Sequence, residues 1–258
     1  MKPRKKRETF DPAFPGYVRE IVLDRDKVGS FDAWPFSLPV VKSLESLKLH
    51  PKVTFLVGEN GSGKSTIIEA VAQAMGMNVE GGSKNFYFST RTHESPLGEY
   101  LKIVRGFERE KDSFFLRAES FYNVATEIEN LRLSVAEYGD KSPHQQSHGE
   151  SFLALLTHRF FGKGVYVLDE PEAALSATGA IALLATVVRA ARAGAQFVIA
   201  THSPILLACP GARIFELDAA GIAPCAYDDL DAVRLTRGFL EAPERYLRAA
   251  LDADDAAV

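Results

Sequence analysis

The sequence predicts an α/β protein with a mostly parallel central sheet, an antiparallel β portion and a small helical lobe. Three observations carry that expectation. The C-terminal half alternates apolar strand-like runs with helical patterns, as parallel sheets require. The run Gly164 to Leu168 is almost wholly apolar, which suits a strand covered on both faces. Glu99 to Phe107 and Ser113 to Arg117 both read as extended and flank the charged turn 108–112, the pattern of an antiparallel hairpin.

Taken in order, Tyr17 to Leu23 is expected to form a first strand, followed by a loop rich in Pro, Trp and Phe as far as Pro39. Pro51 to Val57 is a second strand, and Ser65 to Met75 a helix of good formers without proline. Glycines, serines and aromatics make Gly76 to Arg91 irregular. Phe121 to Leu133 is expected to be helical, Tyr138 to His148 a polar loop, and Glu150 to Phe161 a helix with Phe152, Leu153, Leu155 and Leu156 on its buried side. Ala177 to Ala193 is a helix, Gln196 to Ala200 a strand, Pro204 to Ala208 a short helix and Arg213 to Leu217 a further strand.

Bulk properties exclude several classes. The chain has 258 residues, 46% hydrophobic and 25% charged, with a formal net charge of −4. That is ordinary for a globular protein and exerts no global pull toward nucleic acid or anionic lipid. No apolar run approaches a membrane span, and the first ten residues are too charged for a secretory signal. Cys209 and Cys225 form neither a disulfide framework nor a metal spacing and are assigned to packing. A cytoplasmic location is expected. Lys2, Arg4, Lys5, Lys6 and Arg7 make a basic start, which reads as a solvated arm or as a holder of phosphate backbones.

The chemistry concentrates at Gly58-Glu59-Asn60-Gly61-Ser62-Gly63-Lys64-Ser65-Thr66, between the strand Val53 to Val57 and a helix start. Glycines there allow consecutive backbone N–H groups to surround an anion, and the helix N-terminus adds its field. Lys64 can reach terminal phosphates and the Ser65 hydroxyl can join the shell of Mg²⁺. This is a phosphate loop, and it predicts a bound nucleoside triphosphate within a P-loop fold. Val165 to Leu168 ends in Asp169-Glu170, placing two carboxylates where α/β sheets gather ligands. Asp169 can hold the metal through its water shell, and Glu170, pointing differently, can polarise an attacking water. The strand Gln196 to Ala200 ends in Thr201-His202-Ser203-Pro204, where His202 could meet the γ-phosphate or the water. Ser147-His148-Gly149-Glu150-Ser151 stands at an expected helix start and reads either as an anion-binding surface or as a capping box from Ser147 to Glu150.

Gly58–Thr66, Ser147–Ser151, Val165–Ser176 and Thr201–Pro204, in that order, resemble the nucleotide-binding domain of ABC-class ATPases. The closer likeness is to the soluble, single-domain ATPases related to chromosome-maintenance, recombination and defence proteins. The resemblance implies ATP and Mg²⁺ as cofactors. Gly58, Asn60, Gly61, Ser62, Gly63, Lys64, Ser65 and Thr66 would hold nucleotide in cis, with Ser65 and Asp169 at the metal. Glu170 would be the catalytic base and His202 the switch histidine. Ser147, Gly149 and Glu150 would cap the nucleotide of a second subunit, giving an ATP-dependent homodimer. The implied organisation is a basic arm over 1–16, an ATPase domain over 17–240 with a helical lobe at about 76–160, and a C-terminal helix and acidic tail over 241–258.

Some positions depart from the pattern. His148 and Glu150 replace the glycine and glutamine usual in transporter subunits, and Ser176 stands where many relatives have aspartate. No glutamine lies between Gly76 and Arg91; Asn85, Ser89 and Thr90 are the residues there that could substitute. For adenine, Arg25, Phe31, Trp34 and Phe36 are stacking candidates, although Trp34 beside Pro35 is expected in the core. The functional expectation is a clamp on a nucleic-acid or protein partner driven by ATP hydrolysis. A membrane transporter subunit and a nucleotide sensor in a defence module are the alternatives.

Overall fold

The computed structural model describes residues 14–78, 95–118, 153, 156–157, 160 and 162–255. The elements in chain order are β1 (Val18–Leu23), α1 (Pro39–Ser43), β2 (Ser46–Lys48), β3 (Val53–Val57), α2 (Lys64–Ala74), β4 (Leu101–Arg105) and β5 (Asp112–Arg117). They continue with β6 (Gly164–Asp169), α3 (Ala177–Arg192), β7 (Gln196–Ala200), α4 (Pro204–Leu207), β8 (Arg213–Asp218), β9 (Gly221–Pro224), α5 (Asp231–Glu241) and α6 (Pro243–Asp255). Six strands form one sheet in the order β5-β6-β7-β3-β8-β9, parallel except for β9, which returns antiparallel to β8. Three form an antiparallel sheet in the order β2-β1-β4.

The large sheet is buried on both faces, so its strands divide their apolar residues by parity. Phe55, Phe114, Leu116, Tyr166, Leu168, Phe197 and Ile199 face one core, completed by Leu183 and Val187 of α3. Leu56, Phe115, Val165, Val167, Val198 and Ala200 face the other, with Ile67, Ile68 and Val71 of α2 and Ile21 of β1. The antiparallel sheet therefore shares a core with α2. Gln196 joins the two sheets at the start of β7. Its buried amide accepts from the Tyr17 and Val18 amides at 2.9 and 2.8 Å and donates to the Val18 and His50 carbonyls at 2.7 and 3.0 Å. Cys209 is buried in the first core and Cys225 packs against it, as expected.

The structure corrects the hairpin expectation. β4 pairs with β1 and β5 pairs in parallel with β6, so the two segments lie in different sheets. The physical reason is burial: Phe114, Phe115 and Leu116 are fully buried and suit a strand covered on both faces, whereas β4 buries only Leu101. The expected strand at 99–107 is also shorter, because Pro96–Tyr100 is a 3-10 turn capped by Ser95. Between the end of the expected loop at Pro39 and the strand at Pro51, α1 and β2 are additional elements, and β9 and α5 are further additions. Leu153, Leu156 and Thr157 are helical as expected, with Leu156 fully buried. The expected helix at 121–133 and the polar loop at 138–148 lie outside the described residues.

Candidate nucleotide-binding site

The carboxyl ends of β3, β6 and β7 meet at one edge of the sheet, and the sequence-predicted site residues on them converge there. The loop after β3 turns on Gly61 and Gly63, both at positive φ. At Gly63, φ is 95° and a Cβ would stand 2.6 Å from Val40 Cγ2, so both conformation and space demand glycine. Gly58 is required by close approach, since a Cβ would lie 2.2 Å from the Leu217 carbonyl oxygen of β8. Lys64 opens α2 and donates to the Gly58 and Glu59 carbonyls at 2.9 and 3.0 Å, which holds its ammonium along the loop. Burial lowers the Lys64 pKa, while the nearby Glu170, Asp169 and Glu172 carboxylates oppose that shift.

Ser65, one residue on, donates its hydroxyl to Asp169 Oδ1 at 3.3 Å. The other Asp169 oxygen, Oδ2, accepts from Nε and Nη2 of Arg117, both at 2.9 Å. Arg117 Nη2 also donates to Glu69 of α2. Burial raises the Asp169 pKa, and the Arg117 charge and hydrogen bonds offset part of that rise. Arg117 itself is raised: burial acts to lower it, but Asp169 and Glu69 prevail.

The neighbouring carboxylate is placed differently. Glu170 has φ 46° and ψ 51°, a left-handed conformation rare for a residue with a Cβ. This turn leaves the Asp169 side chain 4% exposed and the Glu170 side chain 38% exposed. Glu170 Oε1 lies 3.2 Å from His202 Nε2, a close approach without hydrogen-bond alignment. His202 is held by a residue that sequence reasoning missed. Glu172 Oε1 accepts from Thr201 Oγ1 at 2.5 Å, from the His202 amide at 2.8 Å and from the Ser203 amide at 3.1 Å. A carboxylate on the 3-10 turn Pro171–Ala174 thus anchors the segment after β7. The only sequence signal for it was a third acidic residue just beyond the Asp-Glu pair.

A cleft of about 660 Å³ runs over the loop, lined in part by Asn60, Lys64, Ser65, Thr66, Asp169 and Glu170. That volume is within the range of small-ligand sites. A second cleft of about 590 Å³ lies against Gly58 to Ser62, but Glu59, Glu216, Asp218 and Asp231 line it and no lysine or arginine does among the described residues. Of these two clefts the first carries cationic side chains, Lys64 and Arg117, alongside its carboxylates Glu69, Asp169 and Glu170.

Trp34 is corrected: it is 57% exposed and lines the first cleft instead of the core. Pro35 takes the buried position beside it. The other stacking candidates are committed elsewhere. Arg25 lies over the Phe31 ring at 4.4 Å and donates to the Lys42 carbonyl, and Phe36 packs edge-on against Tyr100.

The donor set fits Mg²⁺. A hydroxyl and a carboxylate oxygen facing each other beside a phosphate loop are hard ligands, and Mg²⁺ completes its shell with phosphates and waters. Among the described residues no cluster of three or more His, Cys, Asp or Glu could make an all-protein cage. Ser147, Gly149 and Glu150, like Asn85, Ser89 and Thr90, lie outside the described residues.

Residues 28–143 match a family model described as an AAA domain. Residues 137–208 match one described as "AAA domain, putative AbiEii toxin, Type IV TA system". Comparison with curated proteins finds no match. Among solved structures the chain is similar to an SMC head domain from Thermotoga maritima, at 18% identity over 81% of this chain and 99% of that one, with a TM-score of 0.47. It is also similar to a nucleotide-free ATP-binding cassette from an ABC transporter, at 17% identity over 78% and 90% of the two chains and a TM-score of 0.42. No helix among the described residues is long and apolar enough to cross a membrane. A phosphate loop and the Asp169–Glu170 pair stand on one parallel sheet, and AAA-domain models match residues 28–143 and 137–208, so the chain has a P-loop ATPase fold and is similar to AAA-type domains.

Proposed function

We propose that the chain binds ATP with Mg²⁺ and hydrolyses it, using the ATP-bound state to close two copies around each triphosphate. The observation that carries this reading is the convergence of Lys64, Ser65, Asp169, Glu170 and His202 on one edge of the sheet. When bound, Mg²⁺ would neutralise charge developing on the phosphates, with Ser65 and Asp169 as its protein ligands. The loop amides and Lys64 orient the triphosphate. Glu170, exposed to the cleft, accepts a proton from the attacking water, and His202 beside it orients that water or the γ-phosphate. Trp34 offers a face for the base by stacking.

In the dimer Ser147, Gly149 and Glu150 would act on the partner's nucleotide, and the basic residues 2–7 would bear on a nucleic-acid partner. Protein as the gripped load is an equal outcome of the same clamp. The description attached to residues 137–208 supports a second reading, a nucleotide-driven module of a toxin–antitoxin pair.

Steady-state ATP hydrolysis by the wild-type chain and by Lys64→Ala tests the proposal. Magnesium-dependent turnover in the first and its loss in the second are expected. Absence of turnover in the wild type, alone and with DNA, would reduce the protein to a nucleotide binder.

A further inference from the structure

The magnesium carboxylate does not stand alone, and what holds it is absent from the motifs. β5 and β6 run parallel in a register that puts Arg117 beside Asp169. Two of the guanidinium nitrogens grip the same oxygen, Oδ2, so the plane of the Asp169 carboxylate is set by a rigid fork. Oδ1 is thereby turned toward the Ser65 hydroxyl. The Arg117 nitrogen Nη2 also reaches Glu69, which lies one helical turn after Ser65 on α2. Arg117 is 8% exposed, so these pairs are poorly screened and geometrically restrained.

We propose that Arg117 is the positioning residue of the magnesium site: through Asp169 and Glu69 it fixes the spacing between Ser65 and Asp169 Oδ1, so that the metal-facing pair is set before nucleotide arrives. The inference rests on the magnesium–nucleotide reading above. It assigns Arg117 to the metal and not to the phosphates, because Nε and Nη2 are both directed to carboxylates. Neutralising buried charge would need only a cation at this place, whereas orienting a carboxylate needs the planar fork.

The test is equilibrium binding of a fluorescent N-methylanthraniloyl ATP to the full chain, in EDTA and in Mg²⁺. Wild type should bind more tightly with the metal. Arg117→Lys keeps the charge without the fork, and should hold its metal-free affinity within about twofold while losing roughly ten- to a hundredfold of the metal-dependent tightening. Full tightening in Arg117→Lys would overturn the proposal. So would an equal loss of metal-free affinity in a variant whose thermal melt matches wild type, since that would make Arg117 a phosphate contact. Should Arg117→Lys not fold, Glu69→Gln serves: it leaves the grip on Asp169 and weakens the tie to α2, so the tightening should fall about tenfold, and its full retention would refute the spacing role. Wild-type binding without any metal dependence would instead sink the magnesium reading, and the inference with it.

Discussion

Replacing Glu172 by alanine separates the anchoring of His202 from the phosphate loop. In the structure one carboxylate oxygen receives three donors: the Thr201 hydroxyl and the amides of His202 and Ser203. Hydrogen bonds to an ionised acceptor contribute about 1.5–3 kcal/mol each, which gives an upper figure of roughly 5–9 kcal/mol for three. That figure needs reduction. The two amides belong to half-buried residues that water can reach in the variant, and the hydroxyl can rotate. A net loss of about 2–3 kcal/mol remains, or a fall in melting temperature of roughly 5–10 °C for a domain of this size. Function should suffer more than stability, because the released segment carries His202. Turnover is expected to fall ten- to a hundredfold or so, with nucleotide affinity changed far less, since Lys64 is held by the Gly58 and Glu59 carbonyls and not by Glu172. Glu172→Gln keeps an amide oxygen for the same donors and should lose less than half as much stability. Thermal unfolding, ATP titration and steady-state hydrolysis measure the three quantities. A Glu172→Ala protein with wild-type melting and wild-type turnover would refute the assignment of Glu172 as the anchor.

Other consequences follow from the same geometry. Gln196→Leu removes the acceptor of two backbone amides and the donor to two carbonyls in a fully buried place, so urea unfolding should show a loss of about 3 kcal/mol; a change under about 0.5 kcal/mol would mean the sheets are joined by packing alone. Gly63→Ala combines a left-handed φ with a Cβ 2.6 Å from Val40 and should abolish nucleotide binding, whereas Gly61→Ala meets no atom within 4 Å and should cost only its backbone strain, about 1–2 kcal/mol in stability. Asp169 carries a folded pKa above its ordinary 3.8 because burial disfavours its charge. Its proton is held more tightly in the folded chain, so its contribution to stability is full below the unfolded pKa and is lost as pH rises through the folded one. Affinity for Mg²⁺ runs the opposite way, falling as acidification protonates the ligand; a Mg²⁺ titration of the ATP complex from neutral pH downward checks the direction.

The placement of the candidate site's described residues was legible in sequence because each part follows from local rules. A glycine-rich turn between an apolar strand and a helix has one structural context, and acidic residues ending a fully apolar strand must appear at the sheet edge. The parallel core was legible for the same reason, since Val165 to Leu168 and Phe197 to Ala200 can be covered on both faces only within a layered fold. What escaped depends on tertiary pairing. The segments around Leu101 and Phe114 are close in sequence and both extended, so they read as a hairpin, yet each finds its partner far along the chain. Arg117 looked like the end of an ordinary strand, and only the register with β6 brings it to Asp169. Glu172 and Gln196 act by capturing backbone groups of distant segments, which no periodicity records. Trp34 shows the converse, a large apolar residue whose neighbour Pro35 fills the buried position instead.

The central claim, that this cleft cleaves ATP with Glu170 as base, is tested most directly by counting nucleotide on Glu170→Gln. After incubation with ATP and Mg²⁺ and gel filtration, the account predicts uncleaved ATP at about one per chain on a species of twice the 28.3 kDa chain mass, with steady-state turnover lost. Turnover at the wild-type rate, or a monomer carrying only ADP, would contradict it.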